Sequence, residues 1–233
     1  MKTCFLALAV LLVLGPGATV AIPATRSDVA LVESAFEGIS RNYRDDWGFR
    51  ETRTSGEGEF VGRYDPARPP GERWTLVSVD GRPPTEQEAE DYRADRTRDG
   101  DDGGAGMSNA DIVADGSLEL IASTDETLTY TFTPAGDDDE EFFEDLIGTL
   151  TIDRTGRYLH ALTLANDKPV RPATGVKISR FRVHLTFASL TPDGPVVPTG
   201  VDVSIKGRAY LAIGFDEVEK ITWDEYEYAG DRD

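Results

Sequence analysis

Apolar and polar residues alternate more persistently between Gly175 and Tyr228 than anywhere else in the chain. From residue 180 to residue 187 the odd-numbered positions are apolar and the even-numbered ones polar, which is the period of a half-buried strand. The segment 191–195, Thr-Pro-Asp-Gly-Pro, predicts a turn, and the alternation resumes after it. The pattern therefore predicts a hairpin.

The same parity continues from Val201 past Gly207 to Phe215. A two-residue turn at Lys206-Gly207 would place apolar residues on both faces, so two interpretations stand: one long strand that crosses Gly207, or a hairpin with a three-residue turn. The long strand is favoured. Such a strand would span roughly 50 Å at ~3.4 Å per residue, which predicts a strongly curved or twisted sheet.

Shorter alternating segments occupy the rest of the chain between Gly-, Pro- and Asp-containing turns. Near the C-terminus, Ile221 and Trp223 have one parity and Tyr226 and Tyr228 the other, which predicts a bulge near Asp224-Glu225. No strand–helix–strand alternation is present, so ten or eleven antiparallel strands are expected. The earlier strands are predicted at 47–49, 60–64, 74–79, 117–123, 127–133, 148–153 and 158–164.

Two segments have signals of helices. Ser27 predicts the N-cap of an amphipathic helix whose apolar positions recur every three or four residues from Val29 to Tyr43. The segment Thr85-Glu86-Gln87-Glu88 is a capping box that predicts a short polar helix. The predicted fold is mainly β (α+β): a single curved antiparallel sheet or unclosed β-barrel of about 10–11 strands, covered by the N-terminal helix as core packing or as a lid.

The first residues are typical of a secretory signal. Lys2 precedes an apolar run from Phe5 to Leu14 that is too short to span a bilayer, and small residues follow it. We predict a cleaved signal peptide over 1–21, with Ala24 as the alternative cleavage position, and a single domain over 22–233. The predicted location is periplasmic, with full secretion as the alternative.

Net charge limits the partners of the chain. Asp and Glu number 43 against 24 Lys and Arg, which gives a formal charge of −19. Such a surface makes nucleic acid and anionic membranes poor partners, and we interpret it as a means of solubility, as in saline habitats. No second long apolar segment follows the first, so no transmembrane segment is predicted in the mature chain.

Metal and cofactor chemistry have little support in the sequence. The only cysteine, Cys4, lies ahead of the apolar run, and the two histidines, His160 and His184, fall on different predicted strands. The Asp spacing after residue 99 suggests a calcium loop, but Gly103 and Ala110 stand where oxygen ligands are needed. We therefore predict a flexible acidic loop near 99–106, and no metal or cofactor.

The sequence also lacks the common motifs of catalytic and nucleotide-binding sites. The chain has no Gly-x-Ser-x-Gly elbow, phosphate loop or dinucleotide fingerprint. Asp65, Asp80 and Asp153 fall at predicted turns, where Asp ordinarily hydrogen-bonds the backbone. We predict a protein without enzymatic activity, with a carboxylate-dependent hydrolase as the alternative.

Four basic residues stand out against the net negative charge of the chain. Arg180, Arg182, Lys206 and Arg208 fall on the polar side of the predicted sheet. They predict a basic strip for an anionic partner. Ordinary cross-strand pairing with Asp202, Glu225 or Glu227 is the alternative.

Several motifs resemble those of a group of uncharacterised exported bacterial proteins: Trp47-Gly48-Phe49, Tyr64-Asp65-Pro66, Arg73-Trp74-Thr75-Leu76, Asp80-Gly81-Arg82-Pro83-Pro84-Thr85 and Phe215-Asp216-Glu217. The architecture, an exported chain with a leading amphipathic helix and about eleven antiparallel strands, is similar to the LolA/LolB/RseB type of periplasmic lipoprotein carriers and sensors. The resemblance implies an unclosed barrel with a helical lid that holds acyl chains in an apolar concavity. No motif of the carriers aligns with this chain, so none of their functional residues carries over.

Two functions follow as expectations. The first is a carrier that holds a lipid or a lipoprotein acyl chain in the concave face of the sheet. The second is a cell-envelope interaction or sensor module whose sheet surface binds another protein. The predicted cavity lining is the odd-parity face, which a solid core would also use: Phe181, Val183, Leu185, Phe187, Val203, Leu211, Ile213 and Trp223.

Overall fold

The structure, a computed structural model, describes residues 21–98, 112–135, 143, 145–192, 194–210 and 213–230. Within these residues the helices are α1 (Arg26–Glu37), α2 (Tyr43–Asp46) and α3 (Glu86–Arg98). The strands are β1 (Ile22–Pro23), β2 (Trp47–Ser55), β3 (Gly58–Tyr64), β4 (Trp74–Val79), β5 (Glu119–Ser123), β6 (Thr127–Phe132), β7 (Leu146–Asp153), β8 (Leu159–Asn166), β9 (Val170–Ala173), β10 (Val176–Ser189), β11 (Val196–Ala209) and β12 (Ile213–Tyr228).

All twelve strands of the described residues form one antiparallel sheet. Its order is β1, β5, β6, β7, β8, β10, β11, β12, β2, β3 and β4, and β9 pairs with β10. The sheet ends at β1 and β4 and does not close into a barrel. The predicted mainly β fold with an unclosed antiparallel sheet is confirmed. The two strands that the alternation misses, β1 and β9, have two and four residues, too few to establish a period of two.

The predicted single strand from Val201 to Phe215 is wrong. β11 does cross Gly207, but it ends at Ala209, and the chain turns back into β12. Ala209 pairs with Ile213, so three residues separate the two strands. A connection with an odd number of residues pairs odd positions with odd positions, and the alternation therefore continues through the turn unchanged.

The other features of the predicted meander are confirmed. Leu190 N–H donates to the Pro195 carbonyl across the predicted turn between β10 and β11. The register of β12 against β2 shifts between Asp224 and Glu227, which is the predicted bulge.

The N-terminal helix begins earlier and ends sooner than predicted. Thr25, not Ser27, is its N-cap: the Thr25 hydroxyl accepts from Asp28 N–H at 3.3 Å, and the Asp28 carboxylate accepts from Thr25 N–H at 2.8 Å. The helix stops at Glu37 with Gly38 as its C-cap, and Ile39 then forms a bridge with Val196 of β11. Tyr43 belongs to the separate helix α2. The role of α1 as a lid stays a prediction.

The predicted capping box of the second helix is present at the start of α3. The Thr85 hydroxyl accepts from Glu88 N–H at 3.3 Å, and the Glu88 carboxylate accepts from Thr85 N–H at 2.7 Å. α3 extends over 13 residues, which makes it longer than the short helix expected.

Two clusters of buried side chains form the core. In the aliphatic cluster, Val32, Ala35 and Phe36 of α1 pack with side chains of the sheet and of the segment before β5: Val113, Leu118, Tyr130, Phe132, Leu150, Ile152, Leu159, Leu162, Phe187 and Val196. The aromatic cluster has a buried centre and a partly buried shell that includes Tyr92 of α3. Its members are Tyr43, Phe49, Tyr64, Trp74 and Val197, with Trp47, Tyr92, Leu190, Trp223 and Tyr226 around them.

Three of the sequence-based expectations concern residues that the structure does not describe. The signal peptide predicted over 1–21, except for its last residue, and the acidic loop near 99–106 lie outside the described residues. The same holds for Leu211 of the predicted cavity lining.

Candidate functional site

Both longer helices pack on the same face of the sheet, which we call the inner face. The register aligns one row of side chains across β6, β7, β8, β10, β11 and β12: Tyr130, Leu150, Leu162, Leu185, Val201 and Ile221. The first three belong to the aliphatic cluster under α1. Trp223 has the parity of Ile221 and lies opposite Glu51, which pairs with Arg96 of α3. The inner face is therefore covered by α1 on one side and by α3 on the other.

β12 has a free edge along its first seven residues. It pairs with β11 from Ile213 to Thr222, but with β2 only from Lys220 onward, because β2 ends at Ser55. In the described part of the chain, the segment 213–219 therefore has a strand neighbour on one side only. Its backbone N–H and C=O groups on the other side are not paired in the sheet, which makes this edge a template for another strand.

A groove of about 1010 Å³ lies between this free edge and the turn that joins β2 to β3. Val203, Ile205 and Val218 supply its apolar side chains. The rest of its lining is polar or charged: Arg53, Thr54, Ser55, Gly56, Glu57, Arg180, Asp216, Glu217, Glu219 and Lys220. The groove thus combines a small apolar floor with a backbone edge and charged walls.

Two ion pairs hold charges in the walls of the groove. Arg53 binds Glu219, and Lys206 Nζ lies 2.5 Å from Asp216 Oδ2. The hydrogen bond from Lys206 holds the pKa of Asp216 below its usual value. Glu217 forms no ion pair with any described residue. The groove therefore offers two carboxylates, Glu57 and Glu217, that form no ion pair with a described residue, beside two neutralised ones.

Only part of the predicted cavity lining lies together: Phe181, Val183 and Leu185 of β10 share a face with Val203 of β11, which is paired with Val183. Phe187 is buried in the aliphatic cluster, and Leu185 packs against it. Trp223 packs against the aromatic cluster. Phe181 and Val183 are half-buried on β10.

Of the remaining predicted lining residues, Val203 lines the groove and Ile213 is 63% exposed at the end of β12. Ile205 is a lining residue that the sequence-based list omits, although its parity matches that of Val203. No sequence signal marks Arg53 or the turn 54–57 as part of the site, since their position depends on the pairing of β2 with β12.

The predicted basic strip runs along β10 and β11. Arg180 lies opposite Lys206, and Arg208 lies opposite Lys177, a residue that the predicted strip does not include. Arg182 lies opposite Ser204. Of the acidic partners named as the alternative, Glu225 and Glu227 pair instead with Arg50 and Arg63.

The inner face also contains a buried acidic side chain, Glu51, that no pattern in the sequence predicts. Glu51 is 2% exposed and binds Arg96, and Trp223 Nε1 donates to its second oxygen at 2.9 Å. The Arg96 guanidinium also lies 4.5 Å from the centre of the Trp74 ring. These contacts join α3 to β2, β4 and β12.

Tyr92 of α3 lies beside this buried charge. Burial raises the pKa of the Tyr92 hydroxyl to about 12. The hydroxyl oxygen has no hydrogen-bond partner among the described residues. The ring lies against Gly62, where a Cβ atom would come within 2.1 Å of the hydroxyl oxygen, so only glycine fits at this point of β3.

Two other kinds of site are absent from the described residues. Among the described side chains, no group of three or more His, Cys, Asp and Glu is placed to hold a metal ion. None of the helices in the described ranges has the length and apolar character needed to cross a membrane. Comparison of the chain with protein-family models, curated proteins and solved structures found no match.

Proposed function

We propose that this protein is a non-enzymatic binding module that takes an extended segment of a partner protein as an added strand along β12. The observation that carries this proposal is the free edge at 213–219 beside the groove. Strand addition uses the main-chain groups of the edge for affinity and adjacent side-chain positions for specificity.

The side chains of the groove define the partner segment. Val203 and Ile205 are two residues apart on β11 and present a small apolar floor, which suits alternate apolar side chains of a bound strand. The carboxylate of Glu217 suits a cation on that strand. Charged side chains along a free edge also oppose pairing between copies of the chain, so the edge selects a complementary strand.

A site-specific photo-crosslink tests this function. A photoreactive phenylalanine analogue at Val218, which is 59% exposed on the free edge, should capture the partner in cells that express the full chain. Val77 of β4, 51% exposed on the strand at one end of the sheet, is the matched control position. Adducts at position 218 and not at 77 are expected, whereas equal yields at both positions would contradict the proposal.

Amide hydrogen exchange then tests the mode of binding. A synthetic peptide that covers the captured segment should slow the exchange of backbone amides within 213–219. Exchange rates that stay unchanged at saturating peptide would exclude strand addition even if the crosslink forms.

A second candidate is a carrier for an amphiphile with an acyl chain. The specific observation in its favour is the continuity of Val203 and Ile205 with half-buried Val183 and Leu185 on the inner face. The groove volume of about 1010 Å³ is also at the upper end of small-ligand sites, roughly 300–1,000 Å³. Seven of the thirteen residues that line the groove are charged, and these charges favour the peptide over an acyl chain.

Native mass spectrometry distinguishes the two candidates. An amphiphile carrier, purified from the host cell envelope, should retain a bound lipid that the Val203→Asp variant loses. A protein that carries no amphiphile and keeps its melting temperature when fatty acids are added would remove this candidate. The peptide proposal would stand in that case.

The exported, periplasmic location belongs to the same proposal. It is supported by the signal-like residues of the segment 1–21. N-terminal sequencing of the protein from the envelope fraction should begin at residue 22. A product that still begins at Met1 would contradict export.

A further inference from the structure

The free end of the long hairpin carries a distinct surface. Tyr210, which directly follows β11, lies beside the β9–β10 turn, because its N–H donates to the Gly175 carbonyl at 2.7 Å. We call the residues Lys177, Arg208, Tyr210 and Ile213 the hairpin tip. The tip lies at one end of β11. Val196, which forms a bridge with Ile39 of the α1–α2 connection, lies at the other end.

Positive charge is concentrated around the hairpin tip. The segment 166–216 contains seven Lys and Arg against four Asp and no Glu, in a chain of net charge −19. Four of the five lysines lie between residues 168 and 220. The segment 166–216 therefore has a net positive charge, and Glu217 and Glu219 follow it on β12.

The register places like charges directly opposite each other. Lys177 faces Arg208, and Arg180 faces Lys206. Like charges at opposed positions of a sheet are unfavourable. Within the described residues Lys206 pairs with Asp216, whereas Lys177 and Arg208 form no ion pair. The repulsion between Lys177 and Arg208 therefore lowers the stability of the fold, and no ion pair with a described residue offsets it.

Two exposed apolar side chains flank these cations. Tyr210 is 75% exposed and Ile213 is 63% exposed. Tyr210 also has a backbone φ of 50°, a left-handed conformation that is rare for a bulky residue. A tyrosine and an aliphatic side chain beside unpaired cations form the combination that binds at the headgroup region of bilayers.

We propose that the hairpin tip docks on an anionic lipid surface, with Lys177 and Arg208 against lipid phosphates and with Tyr210 and Ile213 in the headgroup layer. The net charge alone predicts repulsion from such a surface. Whether the tip can bind depends on how far the acidic regions of the protein lie from the membrane, and on how far salt screens their charge. From Gly200 to Ala209, β11 spans roughly 30 Å, at ~3.4 Å per residue. The Debye length at physiological salt is about 8 Å, so acidic regions of the protein several such lengths from the tip are screened from the membrane.

Vesicle co-sedimentation tests this docking. The full chain should sediment with vesicles of phosphatidylcholine and phosphatidylglycerol in a 70:30 ratio at about 0.15 M salt, where the acidic regions are screened, and not with vesicles of phosphatidylcholine alone. Sodium chloride at about 0.5 M should release it, since the interaction is electrostatic. A wild-type protein that stays in the supernatant with both vesicle types, as a protein-docking tip would, overturns the proposal.

Variants locate the binding surface. K177Q/R208Q should lower the partition coefficient about 25-fold, since each basic residue near an anionic surface contributes about fivefold. Y210S/I213S should lower binding to the same vesicles without changing its salt dependence. Arg41→Gln, an exposed cation in the α1–α2 connection, is the matched control and should bind as wild type.

Unchanged melting temperatures would show that the variants are folded. If K177Q/R208Q bound like wild type, or if Arg41→Gln lost binding equally, the hairpin tip would not be the docking surface. The photo-crosslink at Val218 is independent of this result, because that residue lies outside the tip.

Discussion

The aliphatic and aromatic clusters both pack a helix on the inner face, but they stabilise it in different ways. α1 inserts Val32, Ala35 and Phe36, which need no polar partner when buried. α3 has few apolar residues and inserts Tyr92 and Arg96 instead, so it depends on Glu51 and on aromatic rings of the sheet. An amphipathic pattern therefore identifies only the first kind of contact.

The largest effects should come from truncating the centre of each cluster. Phe49→Ala should lower the free energy of unfolding by about 4 kcal/mol, because Phe49 is fully buried and its ring contacts those of Tyr43, Tyr64, Trp74 and Tyr226. Leu150→Ala in the aliphatic cluster should cost about 3 kcal/mol. Urea denaturation measures both, and a loss below 1 kcal/mol at either site would contradict the burial seen there.

The next prediction tests whether the aromatic cluster, unlike the aliphatic one, depends on a buried ion pair. Arg96→Met should cost about 3 kcal/mol, because it leaves the Glu51 carboxylate buried without its cation. The double variant E51Q/R96M removes both charges but keeps a side-chain oxygen for Trp223 Nε1, and it should return to within about 1 kcal/mol of wild type. The same denaturation series measures it. Additive losses in the double variant would show that the two side chains do not act as a pair.

The smallest effect concerns the N-terminus of α1. The hydrogen bond from Thr25 holds the pKa of Asp28 below its usual value, and Tyr130 of the aliphatic cluster also donates to this carboxylate at 2.8 Å. A lowered folded pKa means that the ionised carboxylate stabilises the fold above the unfolded pKa of about 3.9, and that this contribution is lost as pH falls through the folded pKa.

Asp28→Asn should therefore cost about 1 kcal/mol at pH 7. The difference from wild type should shrink when denaturation is repeated at pH 3. Asp125→Asn, an exposed residue between β5 and β6, is the control and should change stability by less than about 0.5 kcal/mol. A difference for Asp28→Asn that stays constant between the two pH values would contradict the assigned role of its charge.

Most of the strands followed from the alternation, whereas the binding site did not. Val203 could be assigned to an apolar face, since its neighbours at positions 201 and 205 share its parity. Its place in a groove depends on where β2 ends relative to β12, and this offset is a property of strand pairing. For the same reason, Phe187 and Trp223 were grouped with Val203 although they pack in two separate clusters.

By itself, the sequence determined the mainly β class, most of the strand positions, the side chains that share a face along a strand and the capping box of α3, because these depend on local periods and near neighbours. Only the tertiary structure decided that the chain turns back after Ala209, since a three-residue turn leaves the parity of the alternation unchanged. It also decided the contact of Arg96 with Glu51, which are 45 residues apart, and the free edge of β12. Such long-range pairings depend on how whole strands are placed beside one another, and a period of two carries no information about that placement.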